Sequence, residues 1–207
     1  MAGLTISSVA EFNTIITMLG CMCATVQAAT GTYSAYYKKK PSLLKTNDRL
    51  FRAHRAFGGF ATTLYFLGLF AGTIGFLGGV FFNDPPFEIN DLSFNFHVWP
   101  SFGVLLIILT KTLSSYFKKP FLYKNYKWLG AAAFIAWTYT WITSAFSFYL
   151  RLSPLPSPPP GLHPLPTYLL PLELLWFQLL IPFIFGGLIG FLIVVFADKL
   201  EKKKKKN

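Results

Sequence analysis

The sequence has little charge, little acid and almost no cysteine. Only 13% of its 207 residues are charged, while 53% are hydrophobic. A chain of that balance cannot cover itself with a water-facing surface, and its charge is gathered in short basic clusters between long neutral runs, the pattern of a membrane-embedded chain. Acidic residues number 8 against 19 lysines and arginines. The resulting net charge of +11 does not point to nucleic acid, because the basic residues flank apolar runs and do not line a polar face. The two cysteines, Cys21 and Cys23, both fall in the first apolar run. Residues two apart on a helix point to different sides, which excludes a mutual disulfide or a shared metal and leaves small packing residues. The first 37 residues contain no Lys or Arg, so a cleaved secretory signal with a basic start is not expected. A nucleophile motif, Cys/His metal spacing and a phosphate-cradling glycine loop are all missing, and a soluble hydrolase is excluded with them.

What the sequence does have is five apolar runs, at about 9–37, 54–82, 96–116, 128–150 and 168–197. A helix needs roughly 20 apolar residues to cross a bilayer. The expected fold is therefore all-α: a single polytopic membrane bundle of five transmembrane helices, with a proline-rich loop at 151–167 and a basic tail at 198–207. The prolines of that loop favour an extended path. The second run, His54 to Phe82, reads as the centre of the bundle. It has no charge after Arg55, and Gly68 with Gly72, then Gly75 with Gly79, are spaced to let another helix come close. The first run is the most polar, with Glu11, Asn13, Gln27 and several threonines. Lys111, in the third run, is expected to snorkel towards its basic end.

Counting positive charge by side fixes an expected orientation. With the N-terminus outside and each run crossing once, every Lys and Arg except Arg151 falls on the cytoplasmic side, as the positive-inside rule requires. The lysine tail then lies where anionic headgroups attract it. The expected location is a multi-pass protein of the plasma membrane or of an organellar membrane such as the thylakoid.

The topology places three histidines. His54 opens the second helix inside, His97 opens the third outside, and His163 lies in the outer proline-rich loop. His54 and His97 are separated by close to a bilayer core and cannot share one metal. His97 and His163 would meet if that loop folds inward. Ionisable residues at spans are functional candidates by default. The plainer alternatives are interfacial anchoring for His54 beside Arg49, Arg52 and Arg55, helix capping for His97 near Trp99, and a loop position for His163.

Two helix starts share a pattern: Arg52-Ala53-His54-Arg55-Ala56-Phe57-Gly58 and Lys124-Asn125-Tyr126-Lys127-Trp128-Leu129-Gly130. In each, a glycine follows the aromatic residue by one helical turn and leaves room for a flat macrocycle or a neighbouring helix. This repeated start resembles the cytochrome b561 family and its smaller relatives, helix bundles that hold haem b between alternate helices, one haem near each membrane face. The resemblance covers roughly residues 45 to 150. It implies a cytoplasmic haem position with His54 and Tyr126 as ligands, flanked by Gly58 and Gly130, with Arg52, Arg55 and Lys127 beside the propionates. It implies an outer position with His97 and, loosely, His163, so that His54 and His97 are the candidate iron ligands. Tyr126 stands where that family would have histidine, and an anionic tyrosinate favours ferric iron. The function implied is one-electron transfer through haem b, as a possible component of a membrane oxidoreductase with a membrane-bound or soluble redox partner.

Two other readings fit the same residues. One is a non-redox accessory or assembly subunit of a larger membrane complex, suited by the glycine faces and aromatics. The other is a small transporter. Against it, Glu11 and Glu173 lie near the outer ends and Lys111 is the one marginal charge at depth, whereas transport sites sit near the midplane.

Overall fold

The computed structural model describes residues 9–37, 49–82, 92–152 and 175–204. These form five helices: α1 (Val9–Tyr36), α2 (Arg49–Phe82), α3 (Leu92–Phe117), α4 (Lys119–Leu152) and α5 (Leu175–Lys204). The all-α bundle matches the expectation from the five apolar runs. Four of the helices contain stretches long and apolar enough to cross a membrane: Glu11–Tyr36 of α1, Arg49–Gly78 of α2, Asn95–Phe117 of α3 and Trp176–Lys199 of α5. α4 is long but more polar, with lysines in its first turns and threonine and serine further along.

Two boundaries differ from the sequence reading. α2 begins at Arg49, not His54, so His54 lies more than a turn inside the helix. The basic stretch 117–127, whose charge and place between two apolar runs predict a short turn, is almost wholly helical. A single non-helical residue, Lys118, separates α3 from α4, and the Lys118 and Leu122 amides continue the backbone hydrogen bonding at 3.2 and 3.1 Å. Lys and Arg are good helix formers, and Pro120 fits a first turn, where its missing N–H costs nothing. The proline-rich loop, including His163, lies outside the described residues, as does the start of the fifth apolar run with Pro171 and Glu173.

The centre of the bundle is α1, not the glycine-rich α2. α1 packs closely against α2, α4 and α5, while α3 packs against α4. The physical reason is polarity. Glu11, Thr14, Thr17, Thr25, Thr30 and Ser34 of α1 are all buried, and polar side chains in a lipid environment are far less costly inside protein than facing hydrocarbon. Small residues let the partners approach. A methyl group on Gly20 would sit 2.1 Å from the Trp137 ring of α4, and one on Gly186 of α5 would sit 2.6 Å from the Met22 carbonyl oxygen. Gly190 meets Ala29 in the same way, so the small-residue face of α5 lies on α1. Gly68 of α2 faces Asn13 and Ile16, but Gly72 opens onto empty space. The α2 glycine pattern is thus only partly used.

Two helices carry interior prolines, Pro100 in α3 and Pro182 in α5. An interior proline strips the carbonyl four residues back of its helical donor. For Pro100 that carbonyl belongs to Phe96, and the Tyr139 hydroxyl of α4 donates to it. Next to Pro182, the Trp141 indole donates to the Leu179 carbonyl at 3.0 Å. At Pro100 a neighbouring helix thereby satisfies the carbonyl that loses its helical donor, as apolar surroundings demand. At Pro182 that carbonyl is Gln178's, and the Trp141 contact lies one residue further on.

Candidate functional site

Polar side chains gather at two depths along α1, with a dry layer between them. The first cluster surrounds His97 of α3. Asn13 donates from Nδ2 to His97 Nε2 at 3.3 Å, and His97 Nδ1 contacts Thr143 Oγ1 of α4 at 3.0 Å. The Thr143 hydroxyl passes its own hydrogen to the Tyr139 carbonyl at 2.8 Å. His97 is thus a neutral imidazole with its hydrogen on Nδ1 and both ring nitrogens engaged. Close by, Thr14 and Ser144 share a hydrogen bond of 3.3 Å, and the Ser101 hydroxyl returns to the His97 carbonyl. Tyr65 of α2 ties in from the other side through the Ser101 carbonyl, at 3.1 Å.

The second cluster surrounds His54. Thr30 Oγ1 gives its hydrogen to the carbonyls of Val26 and Gln27, at 2.9 and 3.1 Å. It therefore accepts from His54 Nδ1, 2.9 Å away. That fixes the tautomer: hydrogen on Nδ1, a lone pair on Nε2, for which no hydrogen bond occurs among the described residues. One turn back along α1, Gln27 accepts from Lys111 Nζ of α3 at 2.5 Å through Oε1. Lys111 has therefore turned inward to an amide instead of snorkelling to the basic end. Ser34, one turn beyond Thr30, is fully buried, and its Oγ has no hydrogen-bond partner among the described residues. Gln27, Thr30 and Ser34 recur at helical spacing on one face of α1.

Asn13 and Thr30 are 17 residues apart on α1, about 25 Å at the helical rise. The layer between the clusters holds Cys23, Ala24, Ala61, Tyr65, Val104 and Trp137, all buried. Tyr65 and Trp137 meet edge-on, with ring centroids 5.8 Å apart. Cys21 packs elsewhere, with Trp141 and Ala145, so the two free cysteines face different groups as their spacing predicts.

The residues expected around a haem are dispersed. Gly58 has no vacant flank, because Gln27 lies against it: an added Cβ would fall 2.2 Å from Gln27 Nε2. Gly130 is exposed, with nothing within 4 Å of such a Cβ. His54 rests on Gly31 of α1, whose added Cβ would lie 3.2 Å from the ring. Tyr126 is half-buried on α4, and Arg52 and Arg55 are exposed on α2. α2 and α4 flank α1 and hardly touch, apart from Tyr65 and Trp137. No group of three His, Cys, Asp or Glu able to hold a metal ion occurs among the described residues. As arranged, then, these side chains do not fit a haem held on two axial ligands. His97 has both nitrogens committed, and the flank beside His54 is taken by Gln27.

No family model, curated protein or solved structure matches the chain. The functional reading therefore rests on the two clusters. The residue the sequence reading undervalued is Lys111, together with its partner Gln27. The signal was present in the spacing of Gln27, Thr30 and Ser34 on the most polar helix, which marks a face that must be covered by something polar.

Proposed function

We propose that the protein is a multi-pass integral membrane protein, with its N-terminus outside and all five helices crossing, that binds and passes a small anionic solute at the His54 cluster. The observation that carries this is Lys111. It is an ammonium group within a span, directed into the bundle, and its described hydrogen bond runs to a neutral amide, which cannot balance its charge. Intramembrane charges are rare and mark substrate or ion pathways. A small carboxylate or inorganic anion supplies the missing counter-charge. The orphaned Ser34 hydroxyl, on the same α1 face, supplies a further donor. The Tyr65 and Trp137 layer separates this site from the other end of the bundle, and passage requires it to part.

The test is thermal unfolding of the detergent-purified chain at fixed ionic strength, with chloride, acetate or succinate replacing gluconate. A ligand at 100 times its dissociation constant stabilises by about 2.7 kcal/mol, a shift of several degrees. Wild type should gain such a shift with at least one of the anions, and Lys111→Met should gain none while remaining folded. Counterflow of that anion in proteoliposomes then separates passage from binding. A wild-type midpoint that ignores all three anions sinks the reading.

One observation favours a second reading, one-electron transfer through haem b. His54 donates from Nδ1 to Thr30 and keeps Nε2 for a ligand, the arrangement in which an outer hydrogen bond orients a metal-binding imidazole. It requires Gln27 to leave the Gly58 flank. Oxidised and reduced visible spectra of protein produced with ample haem decide it, since a colourless preparation removes it.

A further inference from the structure

α2 and α5 both lean on α1 but make few contacts with each other. α2 is held through His54 on Thr30 and Gly58 against Gln27. α5 is held through Gly186, Gly190 and a hydrogen bond from the Tyr33 hydroxyl to Asp198. Between them, at the end of the bundle that carries the basic segments, lies a groove of about 420 Å³. Its α5 wall is Ile189, Leu192, Ile193, Phe196 and Ala197, one continuous helical stripe. Its α2 wall is Ala53 and Arg49, one turn apart; Ala53 is small, and the exposed Arg49 is the one charged residue of the lining. The lining is apolar apart from that arginine. Past the groove the sequence continues Asp198 to Asn207 with six lysines against two acids, and Tyr33 already occupies Asp198.

We infer that this groove is a binding site for one anionic phospholipid, its acyl chain lying along the α5 stripe beside Ala53 and its phosphate at Arg49. The volume lies within the roughly 300–1,000 Å³ of small-molecule sites. An apolar slot with a single cation at its rim matches a molecule with a long apolar chain and a negative head. Arg presents a planar fork suited to phosphate oxygens, and basic pockets between helices recognise anionic headgroups. A zwitterionic lipid fills the slot equally well but gains less at Arg49, so the discrimination resides in that residue. The inference is independent of any solute bound at Lys111, which faces the interior through α1.

The experiment is native mass spectrometry of the full chain in detergent with equimolar phosphatidylglycerol and phosphatidylcholine of identical acyl chains. Wild type should retain one phosphatidylglycerol in at least about fivefold preference over phosphatidylcholine. Arg49→Gln, a change at an exposed side chain, should bring that preference to near parity while a lipid is still retained. Ala53→Phe should fill the slot and lower retention of both lipids, with helical content by circular dichroism unchanged. A variant carrying Lys202→Gln through Lys206→Gln should keep the wild-type preference. The inference is overturned if wild type retains the two lipids equally, if Arg49→Gln leaves the preference intact, or if the tail variant alone abolishes it.

Discussion

The two histidine clusters are built from the same materials and differ in completeness. Around His97 every ring nitrogen has a partner: Asn13 on one side, Thr143 on the other, with the Thr143 hydrogen passed on to a backbone carbonyl. Around His54 the ring is held at Thr30 and at the Gln27 backbone, no hydrogen bond to Nε2 occurs among the described residues, and the described hydrogen bond of the neighbouring Lys111 ammonium runs to an amide. A closed polar network in a dry environment fixes packing, whereas one with a surplus lone pair and an unbalanced charge has something left to bind. The contrast teaches that a histidine in a span is not by itself a site. Its second nitrogen, and the charge beside it, make the difference.

The largest effect should come from destroying the layer that keeps the clusters apart. Gly20→Leu drives a side chain into the Trp137 ring, which already lies where a methyl group would go. Overpacking of this kind costs about 1–3 kcal/mol, and the upper end is expected because an indole cannot fold away as a flexible chain can. Both clusters should loosen, read as a thermal midpoint in detergent many degrees below wild type. An unchanged midpoint would mean that the α1–α4 crossing is not where the structure puts it.

Next in size is the direct comparison of the two histidines. His97→Ala leaves the Asn13 amide without its described partner, while Thr143 keeps its backbone acceptor, and an orphaned polar group costs roughly 1–3 kcal/mol. His54→Ala removes the ring's contacts with Thr30 and the Gln27 backbone, but Thr30 keeps both of its backbone acceptors, so the cost should stay near about 1 kcal/mol. Chemical unfolding of both variants under one condition should rank His97→Ala as the more damaging. An inverted order would make the His54 cluster the structural one and remove the case for a binding site there.

A smaller effect separates the two glycines of the repeated helix start. Gly58→Ala pushes against the tip of Gln27, a flexible side chain able to yield, and in yielding it disturbs the Gln27–Lys111 hydrogen bond. The expected cost is about 1 kcal/mol, with a weakened anion-dependent shift. Gly130→Ala meets nothing and adds helix propensity, so it should be neutral or stabilising by a few tenths up to about 1 kcal/mol. Equal penalties at the two positions would restore the matched pair of slots that the motif implies.

The helices themselves were readable because apolar run length is a strong signal. Their ends were less so. Arg49 to Ala53 and Lys119 to Lys127 looked like loops because they are charged, yet Arg and Lys propagate helix as readily as leucine. The choice of α2 as the centre followed its glycines, and Gly72 shows the weakness of that argument: spacing says which residues share a face, not which face is covered. The better guide was α1, whose Asn13, Gln27 and Thr30 have to be covered by protein. The sequence leaves the direction of Lys111 open, because a four-carbon stem reaches either outward or inward. Only the position of Gln27, 84 residues away in sequence, settles its direction.

The central place of α1 carries a consequence for assembly. It precedes the other four helices in the chain, and it holds the polar groups that suit lipid least. Its Asn13 waits for His97 and its Gln27 for Lys111, both on α3. In the membrane placement proposed above, the polar face of this segment is covered only once α3 has been made, since α3 brings both partners. Truncated chains that stop short of α3 should therefore be cleared quickly by quality control, whereas chains lacking only α5 should persist.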